Sequence, residues 1–420
     1  MNYAEHALAE DETLSYPSYP LDRDFPKEEY DLRVSRARAL MAAADLDALV
    51  ITSSTVGQWF TSSHEPHNWH DVACCRSSWY ILTPGGDYLY TTPTNNHNFN
   101  TQHRATWVSE IRPLVERSEW PRTEIWGINQ MPAIFGELGL NHKRLGFELG
   151  DNTTLGMSVN DFLRLRELLP HARLVDGSPV IRRLLTVQTP LEIERTRLAC
   201  QAGVWIHHQV PRLVRPGLTE REVFRSLSAA FASQFGVDYS YRPTGNWDVR
   251  NAEHGEYNLH HHIVTDRVYR AGDQLCRGTS GASYLGYRGD VDRIWYLGDP
   301  PPIVREWYRI TWECNRAMAE QITPGNRCSD VHAALVRVTD RYRFPRPLAG
   351  RNGHGIHNTG DLSVHPDNHT VLEPGMILSV EPMFGNRYGY YDVEDQYLVT
   401  ATGREPLHEL APEELPLIPI

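Results

Sequence analysis

From Lys27 to Ala44 apolar residues recur at Tyr30, Val34, Ala37, Leu40 and Met41, the spacing of one face of a helix. The pattern then becomes an apolar run from Leu46 to Thr52, which predicts a strand. Ser78 to Leu82 and Tyr88 to Thr92 predict two more strands, joined through Pro84-Gly85-Gly86-Asp87 as a hairpin. These alternations place a mixed α/β domain in residues 1–185. Its first 25 or so residues are rich in Pro and Tyr, lack periodicity, and are expected to pack as an arm on a domain or a neighbouring subunit.

A second domain, 189–420, is expected to open at Thr189-Pro190-Leu191-Glu192. There Thr can cap a helix, Pro suits its first position and Glu completes a capping box, and the helix should run to about Val214. An internal repeat follows. Pro216-Gly217 precedes Val223 and Leu227, and Pro324-Gly325 precedes Val331 and Leu335 at the same offsets, a shift of 324 − 216 = 108 residues. Each copy is expected to open a capped helix, at Thr219 with Glu222 and at Ser329. That shift is too long for a solenoid unit and fits two halves of a duplicated α/β domain. Strands follow each helix: Gly272 to Cys276 and Tyr287 to Leu297, then Met376 to Met383 and Tyr391 to Thr400 with a turn around Gly385-Asn386. The class is therefore α/β, of the α+β kind, in two domains.

Four chemically suggestive residues lie in or beside the later strands: Asp290 in GYRGDVDRIW, His354 in NGHGIH, Glu381 in LEPGMILSVEPMF and Glu394 in YDVEDQYLV. Three oxygen ligands and one imidazole suit a first-row divalent ion such as Mn, Fe, Co or Zn, and without one they crowd too much negative charge together. Asp292, two residues after Asp290, should share its face. A lone strand carboxylate is ordinarily solvated; it is the set that argues for chemistry. His64, His67, Trp69 and His70 either line a pocket or form a polar loop.

Composition narrows the partners. The formal charge of −12, with no clustering of Lys and Arg, argues against nucleic acid. No apolar run approaches a membrane span, and the acidic opening lacks the basic and apolar regions of a secretory signal, so a cytoplasmic enzyme is expected. The six cysteines, Cys74, Cys75, Cys200, Cys276, Cys314 and Cys328, show no C-x-x-C pair and fit reduced thiols.

GDVDR, NGHGIH, LEPGMILSVEP and VEDQYLVT, with HHIVTDRVYRAGDQL upstream, resemble the pita-bread family of methionine aminopeptidases, prolidases and creatinases over about residues 189–405. The N-terminal part is similar to that of the creatinase and prolidase branch. The resemblance implies a pita-bread catalytic domain with a pseudo-twofold repeat behind a smaller creatinase-like α/β domain. The family's peptidases use Asp, Asp, His, Glu and Glu around two metals. By motif Asp290 matches the second Asp, His354 the His, and Glu381 and Glu394 the two Glu. Where the first Asp should stand, near the end of the strand that starts GDQLC, this chain has Arg277-Gly278-Thr279. His261 matches the family's acid/base histidine. His365 matches a second histidine, which is followed here by Pro366, and Asp292 resembles an acidic residue of the creatinase branch. Arg76 resembles an arginine that reaches into a neighbouring subunit's site to hold a substrate carboxylate, which implies a homodimer.

Two chemistries follow. With one divalent ion, water adds to an amide or amidine carbon while His261 moves a proton to the leaving nitrogen and His365 stabilises the oxyanion. Without metal, His261 is the general base and Glu381 and Glu394 bind a cationic amidine or guanidine substrate. The leading expectation is a hydrolase of a C–N bond in a small molecule, of the creatinase or ectoine-hydrolase kind. The alternatives are a mononuclear Xaa-Pro metallopeptidase, a lyase and a non-catalytic paralogue.

Overall fold

The computed structural model describes residues 25–61, 78–91, 106–114, 128–236, 238–241, 248–250, 264–278, 282–356 and 361–420. The chain divides into two compact units, Met1–Leu184 and Leu185–Ile420. Among the described residues no helix is long and apolar enough to cross a membrane.

The first unit is built on one six-stranded sheet, ordered β4-β3-β2-β1-β5-β6. Its strands are β1 (Ala48–Ile51), β2 (Trp79–Leu82), β3 (Asp87–Thr91), β4 (Glu110–Pro113), β5 (Arg144–Phe147) and β6 (Arg173–Asp176). Helix α1 (Lys27–Ala43) buries Tyr30, Val34, Ala37 and Met41, the face that the periodicity marked. All four residues of β1 are buried, as a strand covered on both faces requires. The β2–β3 hairpin closes with Leu82 opposite Asp87, Thr83 N–H donating to Gly86 O at 2.9 Å. Helices α2 (Ser54–Thr61), α3 (Met131–Glu137) and α4 (Val159–Leu168) follow, with a short 3-10 turn at Ile128–Gln130 and a further helix over Ser178–Thr186 that runs to the unit's end. The core gathers Val50, Trp79, Ile81, Phe135, Leu145 and Phe147.

The second unit holds the repeat. Helix α5 (Pro190–Leu213) opens with the expected capping box: Thr189 Oγ1 accepts from Glu192 N–H and Glu192 Oε2 from Thr189 N–H, at 3.2 and 2.8 Å. Helix α6 (Glu220–Gln234) opens the first half in the same way, capped by Thr219 and Glu222. The strands of that half are β7 (Tyr239–Tyr241), β8 (Asp248–Arg250), β9 (Gln274–Gly278), β10 (Ala282–Tyr284), β11 (Tyr287–Arg288) and β12 (Asp292–Leu297). Helices α7 (Pro302–Glu320) and α8 (Cys328–Tyr342) begin the second half. It continues with β13 (Gly353–Gly355), β14 (Ile377–Val380), β15 (Met383–Asn386), β16 (Gly389–Asp392) and β17 (Asp395–Val399), before the edge strands β18 (Arg404–Pro406) and β19 (Leu417–Ile418).

The halves repeat in backbone detail. Gly217 and Gly325 both adopt φ 93°, a left-handed conformation open to glycine, and donate to Tyr269 O and Leu372 O, each at 2.9 Å. Thr219 bridges Val268 as Arg327 bridges Val371. The second helix is capped at Arg327 rather than Ser329, because Asp330 is placed to accept from Arg327 N–H at 2.8 Å.

Three segments that the pattern predicts as single strands are each broken in two. Tyr287–Leu297 splits into β11 and β12, which belong to different sheets. The cause lies at Gly289, where a side chain would meet the backbone of α5, with Cys200 N only 2.6 Å from an added Cβ. Met376–Met383 splits into β14 and β15 around Glu381-Pro382, because proline has no N–H for the ladder. Tyr391–Thr400 splits into β16 and β17 around Val393-Glu394. There Asn315 Nδ2 takes Val393 O at 2.6 Å and Arg293 Nη1 takes Glu394 O at 2.7 Å. The β15–β16 turn is not at Gly385-Asn386 but over Arg387-Tyr388. Asn386 Oδ1 accepts from the N–H groups of Tyr388 and Gly389 and closes it there.

Gly289→Ala should cost roughly 1–3 kcal/mol through overpacking against α5 and lower the melting temperature by several degrees. Gly85→Ala, where an added Cβ meets nothing within 4 Å, should leave it unchanged. Equal melting temperatures for the two variants would refute the close-approach argument.

Candidate metal centre

The strand breaks are where the candidate ligands sit. Asp290 lies between β11 and β12, Glu381 between β14 and β15, and Glu394 between β16 and β17, while His354 is the middle residue of β13. Backbone bonds lace these places together. Glu381 N–H donates to Asn352 O at 3.0 Å, and Glu394 N–H to Asp292 O at 3.3 Å. Asn315, fully buried on α7, spans Val380 O and Val393 O, the carbonyls just before the two glutamates, at 3.0 and 2.6 Å. Arg293 Nη1 likewise spans Asp292 O and Glu394 O at 2.8 and 2.7 Å. Gln396 Oε1 accepts from Asp290 N–H at 3.1 Å.

His354 Nδ1 faces Gly355 O at 3.0 Å, which assigns the proton to that nitrogen and leaves Nε2 as a lone-pair donor. Nε2 lies 3.6 Å from Asp290 Oδ2, 3.7 Å from Glu381 Oε1 and 3.8 Å from Glu394 Oε1. These separations are too long for hydrogen bonds. They are close to the roughly 3.0–3.5 Å between donors that share an ion at about 2.1 Å. Ligand atoms of Asp290, His354 and Glu394 all lie within 4.8 Å of one another. Glu381 Oε1 is buried without a hydrogen-bond partner, the Arg351 guanidinium standing 3.7 Å away, too far to satisfy it and leaving it open to an ion. The donor set therefore fits a divalent metal.

The electrostatics point the same way. Burial, then the charge of Asp290, pushes the Glu381 carboxyl up to about 8, and the same two causes push Asp292 up to about 7. Burial lifts Asp290 as well, although His354 opposes the rise. Glu394 and Asp392 are raised well above the ordinary range by burial and by their acidic neighbours, although Glu394 accepts from Ser379 Oγ at 2.5 Å. Burial pushes the His354 imidazole down and keeps it neutral, the form that binds metal.

Asp392 is absent from the reading of the sequence, although it stands two residues before Glu394 in YDVED, the spacing that singled out Asp292 beside Asp290. Asp292 itself is 3% exposed. Its neighbour Arg293 does not bind its carboxylate but takes backbone carbonyls and Asp395 Oδ1, the last at 2.9 Å. His365 is half-exposed, its Nδ1 accepting from Asp367 N–H at 3.3 Å and its ring facing His332, and it follows Val364, whose backbone pairs with Asn352 and Gly353 beside His354. His261, Arg76, Thr279, Cys74, Cys75 and the histidines at 64, 67 and 70 lie outside the described residues. Cys200, Cys314 and Cys328 are buried and unbridged.

Comparison with known proteins extends the picture along the chain. The profile of Metallopeptidase family M24 matches residues 194–401, and that of the Creatinase/Prolidase N-terminal domain matches residues 33–184. A probable dipeptidase, PepE, of Mycobacterium tuberculosis is 28% identical over 363 residues, covering 81% of this chain and 92% of its own. The ectoine hydrolase of Halomonas elongata is 26% identical over 408 residues, covering 91% and 96%. Among solved structures, the Xaa-Pro dipeptidase from Bacillus anthracis superposes with a TM-score of 0.74 at 20% identity, covering 92% of this chain and 99% of that one. With both of its units matched in order and a candidate metal-ligand set in the catalytic one, the chain belongs to the metallopeptidase M24 family of hydrolases, in its two-domain, pita-bread form with a creatinase/prolidase N-terminal domain.

Proposed function

We propose that the protein is a metal-dependent hydrolase of a C–N bond in a small amide or amidine, acting in the manner of creatinase or ectoine hydrolase. The observation that carries this is His354 Nε2, a lone-pair donor at 3.6–3.8 Å from oxygens of three separate carboxylates. Asp290, His354, Glu381 and Glu394 would hold one divalent ion. When bound, such an ion supplies Lewis-acid polarisation of the scissile carbon and lowers the pKa of water.

The chain's own residues do the rest. His261 carries the proton to the leaving nitrogen as the C–N bond breaks. His365, half-exposed just after the backbone pairing of Val364 with Gly353, is assigned to the developing oxyanion. Asp292 lies against Glu394 and takes part in proton transfer near the attacked carbon. Arg76 holds a substrate carboxylate across a homodimer. In this reading the enzyme is cytoplasmic; only without the ion would Glu381 and Glu394 instead orient a cationic substrate group. A second reading, an Xaa-Pro or related dipeptidase, is favoured by the four-residue set and by the similarity to PepE.

Protein purified without chelator should carry a divalent ion, and His354→Ala and Glu381→Ala should lose it, as elemental analysis would read. Metal-free active protein would overturn the proposal. Tested against ectoine, creatine and an Xaa-Pro dipeptide, the enzyme should turn over one of the first two best. His261→Ala should lower kcat by about 10²–10⁴-fold; preference for the dipeptide would establish the second reading.

Chelation should expose the electrostatics. The carboxyls of Glu381, to about 8, and Asp292, to about 7, are raised above their unfolded values. The stability they contribute is present below pH 4 and is lost as pH rises through 7 and 8. The melting temperature of the chelated protein should therefore fall between pH 5 and 8.5, and the gain on adding Mn²⁺ should grow over the same range. A gain that shrank with pH would contradict the assignment.

A further inference from the structure

Three of the four candidate ligands are held by backbone bonds. His354 pairs with Ser379 in the β13–β14 ladder, Glu381 N–H donates to Asn352 O, and Glu394 N–H to Asp292 O. Asp290 is held differently, because it falls in the break between β11 and β12. Side chains from distant elements take the peptide groups there. The Asp290 N–H donates to Gln396 Oε1 at 3.1 Å, and the next carbonyl, Val291 O, meets His207 Nε2 at 2.9 Å.

The packing of α5 aims both side chains. Cys200 and His207 stand two turns apart on one face of that helix, and both are buried. Gly289 lets the α5 backbone approach closely at Cys200, and Val291 packs with Cys200, Ile377 and Leu407. Cys200 Sγ donates to Gln396 Oε1 at 2.8 Å, so one oxygen takes both the thiol and the Asp290 N–H. This fixes the orientation of the Gln396 amide, since the reversed amide would set N–H against N–H. The His207 ring lies 5.2 Å from that of Trp295 on β12. A carbonyl only accepts, so His207 Nε2 bears a proton, where in His354 the proton is on Nδ1.

We infer that His207 and Gln396 are positioning residues for Asp290, gripping the chain at and just after it so that its carboxylate is aimed at the ion site before an ion arrives. The inference rests on the metal-dependent reading above. The charge of Asp290 acts on Glu381, Asp292 and Glu394. The same repulsion would swing a loosely held Asp290 side chain away from them. The grip therefore acts on ion affinity, through the backbone, without either side chain touching the ion or the substrate.

The test is the Mn²⁺ affinity of the chelator-stripped full-length protein, read from the free-ion EPR signal, for His207→Phe, His207→Gln and Gln396→Leu beside the wild type. Phe keeps a ring against Trp295 but has no donor, whereas Gln can still donate to Val291 O. His207→Phe and Gln396→Leu should each weaken binding by about 10–100-fold, and His207→Gln should recover most of that loss although it alters the packing more. Wild-type affinity in a folded His207→Phe or Gln396→Leu, or equal loss in the Phe and Gln variants of His207, overturns this inference and leaves the hydrolase reading standing. No ion bound by the wild type overturns both. A variant that fails to fold is bypassed by amide hydrogen exchange at Asp290 in the chelated wild type. Strong protection there supports the grip; exchange that slows only when Mn²⁺ is added refutes it, because the ion would then be what orders the ligand.

Discussion

Taking a carboxylate out of water costs several kcal/mol unless a cation or hydrogen bonds replace the solvent. The catalytic unit does this with Asp292, Glu381, Asp392 and Glu394 at once, and with Asp290 in part. Such a cluster repels itself, so it persists only because other parts of the fold hold its backbone. Asn315 and Arg293 do so by each grasping one carbonyl of a strand and one of the break between β16 and β17, and neither hydrogen-bonds a carboxylate of the cluster. The breaks in the strands follow from the same constraint. A continuous ladder would send alternate side chains to opposite faces, whereas a kink re-aims one carboxylate without disturbing the core on either side.

A second electrostatic layer lies one residue away. Glu394 faces the acidic cluster, and its neighbour Asp395, on the other side of the chain, is fully buried between Arg293 and Arg316. These two arginines therefore neutralise Asp395 rather than the cluster, which Arg351 faces at 3.7 Å from Glu381 Oε1. A guanidinium turned toward Asp292 instead would compete with any cation for the same oxygens. Tyr308 lies beside this layer and belongs, with Val331, Leu335, Leu378 and Tyr391, to the core of the unit.

Much of this was legible in the chain. Capping boxes at Thr189 and Thr219 follow from local side-chain chemistry, and so appear where the residues predict them. The repeat was visible because a left-handed turn that demands glycine, as at Gly217 and Gly325, leaves a fixed mark in sequence. The strand breaks were not legible at Gly289 or Glu394. Their causes are a helix backbone nearly ninety residues away and side chains of other elements, which no local window contains. Asp392 was overlooked for a different reason: it has the right spacing, but its partner Asp292 is brought beside it only by tertiary folding. The family motifs marked Asp290, His354, Glu381 and Glu394 because each sits in its own short, distinctive setting.

The matched turns at Gly217 and Gly325 describe two halves with one backbone plan, yet the halves are chemically unequal. To the acidic cluster the first contributes Asp290 and Asp292; the second contributes His354, both glutamates and Asp392. A duplicated scaffold thus frees one copy from having to do what the other already does. Its strand ends can vary their carboxylates while His354 stays fixed in the other copy.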